Sequence, residues 1–283
     1  YASETGPDGA SGAYTKDRYN GIAERFDSLF SRLSKYRRFN GNVLVSTDGN
    51  IVYENSFGYS DYRKRTRLSL GSLFEIASVS KRFTAMGIMM LHDDGRLGFD
   101  DPVTKFFPDF PYKKVTVRHL LTHRSGLPDY LKFSPRRINP KGGYLTNDRL
   151  MEFLVRNVPD SLFEAGSAYR YSNTGYAVLA KVIEKVSGKP YDEFMSERIF
   201  APLGMTSTFV FNPKKNFPWR KLAHGYNKRG RPVYDGYLSG VVGDKGIYST
   251  VEDLFKWAQG LYVEGLVKDE GVAEACTPSS NDE

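Results

Sequence analysis

The run from Val79 to Asp94 constrains the fold most. Val79, Phe83, Met86, Met90 and Leu91 recur at helical spacing, and Gly87 and Met89 leave little of the surface polar. A helix that is apolar on nearly every side belongs inside a domain, with other elements packed around it. The extended stretch Leu73-Phe74-Glu75-Ile76-Ala77 leads into this run, and Gly95 ends it. At the junction stands Ser78-Val79-Ser80-Lys81, the one Ser-x-x-Lys among 283 residues.

Residues three apart share a helix face, so with Ser78 opening the helix Lys81 stands one turn along, beside its hydroxyl. A serine hydroxyl is a poor nucleophile until a neighbouring base takes its proton. A lysine serves as that base only when neutral, a state favoured by burial or by a second cation nearby. The helix N-terminus adds unpaired N–H groups where an oxyanion would develop. By itself the motif has a commoner meaning, a serine N-cap followed by a surface lysine. A second motif is needed to raise it above that.

Composition narrows the classes. Hydrophobic residues make up 40% and charged residues 26%, the balance of a soluble globular chain with enough length for a large core. No apolar run reaches the eighteen or so residues of a membrane span. A lone cysteine, Cys276, excludes an intrachain disulfide framework, and the four histidines have no metal-ligand spacing, so no metal is expected. The net charge of +7 is spread over separate clusters such as Arg63-Lys64-Arg65 and Lys214-Lys215. It forms no nucleic-acid module and suits an anionic cell-wall or membrane face.

Residues 1–14 are small and polar and read as a flexible leader. The expectation is that it follows a removed export or lipoprotein signal, which places the protein in the periplasm or outside the cell, membrane-anchored in the lipoprotein case. Thr15 to Arg38 predicts an amphipathic helix with Ile22, Phe26, Leu29, Phe30 and Leu33 as its stripe. Two β-rich runs around Asp48-Gly49 predict a hairpin, with polar loop onward to Ser72. Helices are expected over Thr116–Thr122, Thr146–Asn157, Tyr176–Val186, Tyr191–Phe200 and Val251–Glu264. The last is opened by a capping box of Thr250 with Asp253, or Ser249 with Glu252, and a final short helix ends near Cys276. Residues 206–240 read as irregular. The division that results is an α/β part, 15–70 and 241–283, around a mostly helical part, 71–240.

The second motif is Tyr171-Ser172-Asn173, in an aromatic polar loop ahead of a helix. A tyrosine hydroxyl can relay a proton between lysine, nucleophile and leaving group. An asparagine amide donates and accepts at once, so it can hold a substrate amide. Tyr53-Glu54-Asn55 repeats the pattern within a strand and reads as coincidence.

Together these residues resemble the serine β-lactamase and penicillin-binding-protein superfamily, whose signature begins with Ser-x-x-Lys. The branch that fits is class C β-lactamases, D-alanyl-D-alanine carboxypeptidases and related esterases. Phe74 to Thr84, Asp93 to Val103, Leu120 to Pro128, Pro202 to Met205 and Gly246 to Leu254 carry the likeness, over roughly residues 20 to 260. The resemblance implies an α+β fold, an antiparallel sheet flanked by helices plus a mostly helical domain. It implies a serine hydrolase working through an acyl-enzyme without cofactor or metal. Ser78 would be the acylated nucleophile and Lys81 with Tyr171 the general-base pair, assignment between them open. Asn173 would position the substrate, a small molecule or a piece of peptidoglycan, and the Ser78 N–H would be one oxyanion donor. His123 would be structural.

One part of the family pattern is missing. The third motif, Lys-Thr-Gly or His-x-Gly, lies on a sheet strand well beyond the segment matched by Tyr248 to Leu254. No such motif follows here, and neither Lys245-Gly246 nor Lys141-Gly142-Gly143 stands in its place. The expectation is that the sheet's C-terminal strands are missing from this chain and that Glu283 is not the natural end. A non-catalytic binding relative is the alternative that this absence raises, and an esterase of the same fold is another.

Overall fold

The computed structural model describes residues 11–216, 218–227, 229–233, 236–260 and 266–267. Helix α1 (Ser11–Lys35) comes first, starting at Ser11 rather than Thr15, so residues 11–14 are helical rather than leader. Its stripe meets the hairpin of β1 (Gly41–Thr47) and β2 (Asn50–Phe57). Phe26 stacks on Tyr53, and Phe30 packs against Phe39 and Phe57, while Leu29 faces out. Asp48 and Gly49 both take positive φ, 49° and 76°, the backbone that closes a two-residue hairpin. Tyr53 and Asn55 both donate to Asp27 of α1, which accounts for that second Tyr-x-Asn as structural.

The stretch expected as loop up to Ser72 holds a second small ladder, β3 (Tyr59–Asp61) with β4 (Thr66–Arg67). Strand β5 (Phe74–Glu75) then enters a 3₁₀ turn, Ala77–Val79, and α2 (Ser80–Asp93). Phe83, Ile88 and Leu91 are fully enclosed and Met86, Met89 and Met90 nearly so, as the pattern predicts. A Cβ at Gly87 would come within about 3 Å of the side chains of Met195, Ile183 and Phe194, so the neighbouring helices pack tightly on α2 at this glycine.

Helix α3 (Val117–Leu121) is capped by Thr116, which exchanges hydrogen bonds with His119, so that histidine is spent on the cap. A short α4 (Pro135–Ile138) precedes α5 (Asn147–Asn157), capped by Thr146 as expected. Helix α6 (Asn173–Ser187) packs along α2 and ends at Gly188 with φ 75°. It begins three residues ahead of Tyr176, with Ser172 as its N-cap, because Gly175 N–H reaches the Ser172 hydroxyl. Helix α7 (Tyr191–Met195) runs on as a π-helical turn, Ser196–Phe200.

The rest is short: β6 (Phe209–Val210), β7 (Gly225–Tyr226), β8 (Pro232–Val233), β9 (Ile247–Ser249) and α8 (Val251–Gly260). Thr250 caps α8 through Asp253 N–H, but the Asp253 carboxylate turns to Ser207 and Thr208, so the expected capping box is half formed. Helix beyond Gly260, and the final helix near Cys276, lie outside the described residues.

The five strand pairings among the described residues, in four small sheets, are all antiparallel. The β1–β2 hairpin has no third strand there; α1 packs on β2 and α8 on β1. The ladder that matters for the site is β5-β9-β6, with β9 wholly buried at its centre. It ties the entry to α2 to the far end of the chain. No described helix is long and apolar enough to cross a membrane.

Candidate active site

The Ser-x-x-Lys segment is built by a sharp change of direction. Ile76 N–H ends the β5 contact by donating to Ile247 O at 3.0 Å. Ala77 then takes φ 46°, a left-handed backbone that a residue with a Cβ adopts at a cost of about 1–2 kcal/mol. The turn that follows lifts Ser78 into solvent, while Lys81, one turn on, is 5% exposed. Nucleophile above and base beneath is what a half-exposed helix start provides.

Four side chains meet there. Lys81 Nζ donates to Ser78 Oγ at 3.2 Å, and Tyr171 Oη donates to the same oxygen at 2.9 Å. Lys81 Nζ also donates to Asn173 Oδ1 and to the backbone oxygen of Asp244, each at 2.8 Å. Asn173 Nδ2 donates to Asp129 Oδ2 at 3.0 Å. The amide has one possible orientation, since an ammonium only donates and a carboxylate only accepts. Its second amide hydrogen is what it can offer a substrate carbonyl. So all four predicted residues come together. Asn173 does so from the first position of α6, not from a loop, and Tyr171 from just outside that helix.

The arrangement restricts where a proton can go. Two of the three Lys81 partners, an amide oxygen and a peptide oxygen, can only accept. The lone pair of a neutral Lys81 therefore has one proton donor to face, the Ser78 hydroxyl. Tyr171 is the other group able to exchange a proton with Ser78. The Lys81 ammonium also lies 4.8 Å from the Tyr171 ring centre and 5.7 Å from that of Tyr176.

His123 supports this from behind. Its Nδ1 accepts from Ser172 N–H at 3.2 Å, and its ring packs 4.4 Å from Tyr171 and 5.1 Å from Tyr176. Burial, and then the charge of Lys81, push it down to about 4, so it is a neutral prop for the Tyr171 loop. The Asp244 oxygen is fixed from two sides. Asn147 of α5 bonds both Val242 O and Val242 N–H, and Thr84 of α2 donates to Gly243 O at 2.7 Å. Gly243, with φ 101°, lies so close to α6 that a Cβ would fall 2.5 Å from Tyr176 O.

Three contributors escape a reading of the sequence: Asp129, Tyr130 and Asp244. Tyr130 Oη donates to Asp244 Oδ2 at 2.9 Å, so adjacent residues 129 and 130 grip two of the three residues that Lys81 bonds. Their one sequence signal is position, directly after Gly126-Leu127-Pro128 and inside the glycine turn 243–246. A cavity of about 910 Å³ opens beside β5 among Tyr62, Tyr144, Tyr226 and Tyr248. None of the four motif side chains lines it, so the chemistry sits outside it.

The beta-lactamase family model matches residues 26–282. The chain belongs to the beta-lactamase family. Penicillin-binding protein 4* of Bacillus subtilis (strain 168) is 36% identical over 274 residues, covering 90% of this chain and 59% of that protein. A D-aminopeptidase of Brucella anthropi is 30% identical over 236 residues, covering 83% and 44%. The octameric penicillin-binding protein homologue from Pyrococcus abyssi superposes with a TM-score of 0.74 at 32% identity, covering 88% of this chain and 59% of that one. The α+β β-lactamase-like fold expected from the motifs is therefore present, and the chain spans less than two thirds of the length of these family members. The relatives include penicillin-binding proteins and a D-aminopeptidase, and the octamer shows that oligomerisation occurs among them.

Proposed function

We propose that this chain carries the nucleophile of a serine hydrolase that cleaves amide or ester carbonyls through an acyl-enzyme. The observation that carries the reading is the Ser78 hydroxyl held between Lys81 at 3.2 Å and Tyr171 at 2.9 Å. Ser78 Oγ attacks the carbonyl carbon as its proton passes to Lys81 or Tyr171, and the oxyanion forms beside the Ser78 N–H. The tetrahedral species collapses, the leaving amine or alcohol takes up that proton, and the acyl group stays on Ser78. Water, deprotonated by the same base pair, then releases the acid. Asn173 steers the substrate with its second amide hydrogen.

The substrate class in this reading is a D-alanyl peptide or a β-lactam. A penicillin-binding protein and a D-aminopeptidase among the relatives support it. The net charge of +7 suits an anionic cell-wall partner, and we place the protein in the periplasm or outside the cell.

The test is intact-protein mass before and after incubation with a penicillin, with Ser78→Ala as control. An adduct on the wild type and none on the variant supports the reading. An adduct from a nitrophenyl ester alone moves the assignment to an esterase of the same fold. No adduct from either probe on the folded chain sinks the enzyme reading for this chain and leaves a binding role.

A further inference from the structure

One buried ionisable group beside the site has no task in the scheme above. Asp244 is 2% exposed. Its Oδ2 accepts from Tyr130 Oη at 2.9 Å, and its Oδ1 has no hydrogen-bond partner among the described residues. Tyr130 is fully buried. A buried carboxylate with one oxygen left unbonded is disfavoured unless a positive charge stands near.

Lys81 has the complementary deficit. It is buried, yet its three acceptors are all uncharged: a hydroxyl, an amide oxygen and a peptide oxygen. That peptide oxygen belongs to Asp244 itself. Chain connectivity therefore holds a buried anion a few bonds from a buried cation, with no direct bond between the two charges among the described residues. We propose that Asp244, anchored by Tyr130, is the through-space counter-charge of Lys81 and governs whether that lysine is charged. The proposal rests on Lys81 serving Ser78 as base. An ionised Asp244 favours the ammonium, and loss of its charge favours the free lone pair that faces Ser78.

Asp244 is shared with a second cation, because Lys245 acts on its carboxyl ahead of Lys81. Burial pushes the Asp244 carboxyl up, opposed by Lys245, Lys81 and the Tyr130 hydrogen bond. Lys245 is the other cation facing it, and its ammonium is held by the Leu238 and Val241 carbonyls, 5.8 Å from the Tyr130 ring centre. Tyr191 of α7 faces Asp244, and Glu75 of β5 acts on Tyr130. Lys81 is faced by Tyr171, Tyr176 and His123, with the Asp129 carboxylate beyond Asn173. Burial raises Tyr130, Tyr176 and Tyr191, which keeps them neutral, and His123 is neutral above about pH 4.

Two coupled proton sites shift each other equally, so the coupling can be read from either end. The Asp244 carboxyl is followed by NMR of carbon-labelled aspartate, assigned through Asp244→Asn, in wild type and Lys81→Met. Its titration midpoint is expected to rise by about one pH unit or more once the cation is gone, and an unmoved midpoint overturns the proposal. From the other end, Asp244→Asn is expected to move the rising limb of Ser78 acylation by 4-nitrophenyl acetate to lower pH by a similar amount. A uniform loss of rate with the limb in place marks Asp244 as merely structural and also overturns it. Tyr130→Phe, which removes only the anchoring hydroxyl, covers the case in which the other variants do not fold. Its limb is expected to move the same way, and an unmoved limb again overturns the proposal. A wild type that is never acylated refutes the hydrolase reading instead, and the NMR coupling is still measured.

Discussion

Tyr171→Phe separates the two roles open to the tyrosine. The substitution removes one hydroxyl, bonded to Ser78 Oγ at 2.9 Å, and keeps the ring that Lys81 faces at 4.8 Å. Tyr171 is 43% exposed, so the variant should fold as the wild type does. If the hydroxyl only orients Ser78, the loss is one neutral hydrogen bond of about 0.5–1.5 kcal/mol, which is about a two- to tenfold slower acylation. If it moves the proton, the loss is that of a general acid–base group, about a hundred- to ten-thousandfold. The two ranges do not overlap, so a single rate constant decides. The assay is the time course of the Ser78 adduct by intact mass under single-turnover conditions, with Lys81→Met measured alongside. We expect Tyr171→Phe to fall by more than about a hundredfold and Lys81→Met by at least as much. A Tyr171→Phe rate within about tenfold of wild type would refute the relay and leave Lys81 as the sole base.

Two further outcomes follow from the surroundings of the site. Gly243→Ala puts a Cβ 2.5 Å from Tyr176 O on a left-handed backbone, and strain plus overpacking should lower stability by about 2–5 kcal/mol in urea melts. A change under about 1 kcal/mol would show that the 243–246 turn is not held against α6 as described. Burial holds His123 at about 4 in the fold against 6.5 for an ordinary histidine. The unfolded chain therefore binds the extra proton first, so stability is whole above pH 6.5 and drains away as the pH falls toward 4. His123→Gln should flatten that part of the pH–stability curve.

The parts legible in advance were those whose cause is local. Ser78 and Lys81 lie one helical turn apart, so their meeting follows from spacing. Asp48-Gly49 closes the hairpin because both residues tolerate positive φ, and Thr146 and Thr250 cap the helices after them. The sequence pattern starts α6 too late because Tyr171-Ser172-Asn173 reads as one loop, whereas Ser172 caps the helix and makes Asn173 its first residue. The β3–β4 ladder is too short to show a periodicity. Asp129, Tyr130 and Asp244 were out of reach for a different reason. Each acts through a contact across the chain, and aspartate and tyrosine beside glycine and proline look like ordinary turn residues until the partner is seen.

The β5–β9 pairing joins residues 173 and 175 apart, and the Lys81–Asp244 contact joins residues 163 apart. During synthesis the Ser-x-x-Lys segment leaves the ribosome long before the strand and the carbonyl that complete its frame. Until β9 arrives, α2 has an exposed apolar surface and Lys81 lacks one of its three acceptors. The serine should thus stay unreactive through most of translation, and slow, non-local closure should set the folding rate. On the proposed acyl-enzyme reading, acylation of Ser78 by a fluorescent penicillin would report completion of the fold and serve as a folding clock for this chain.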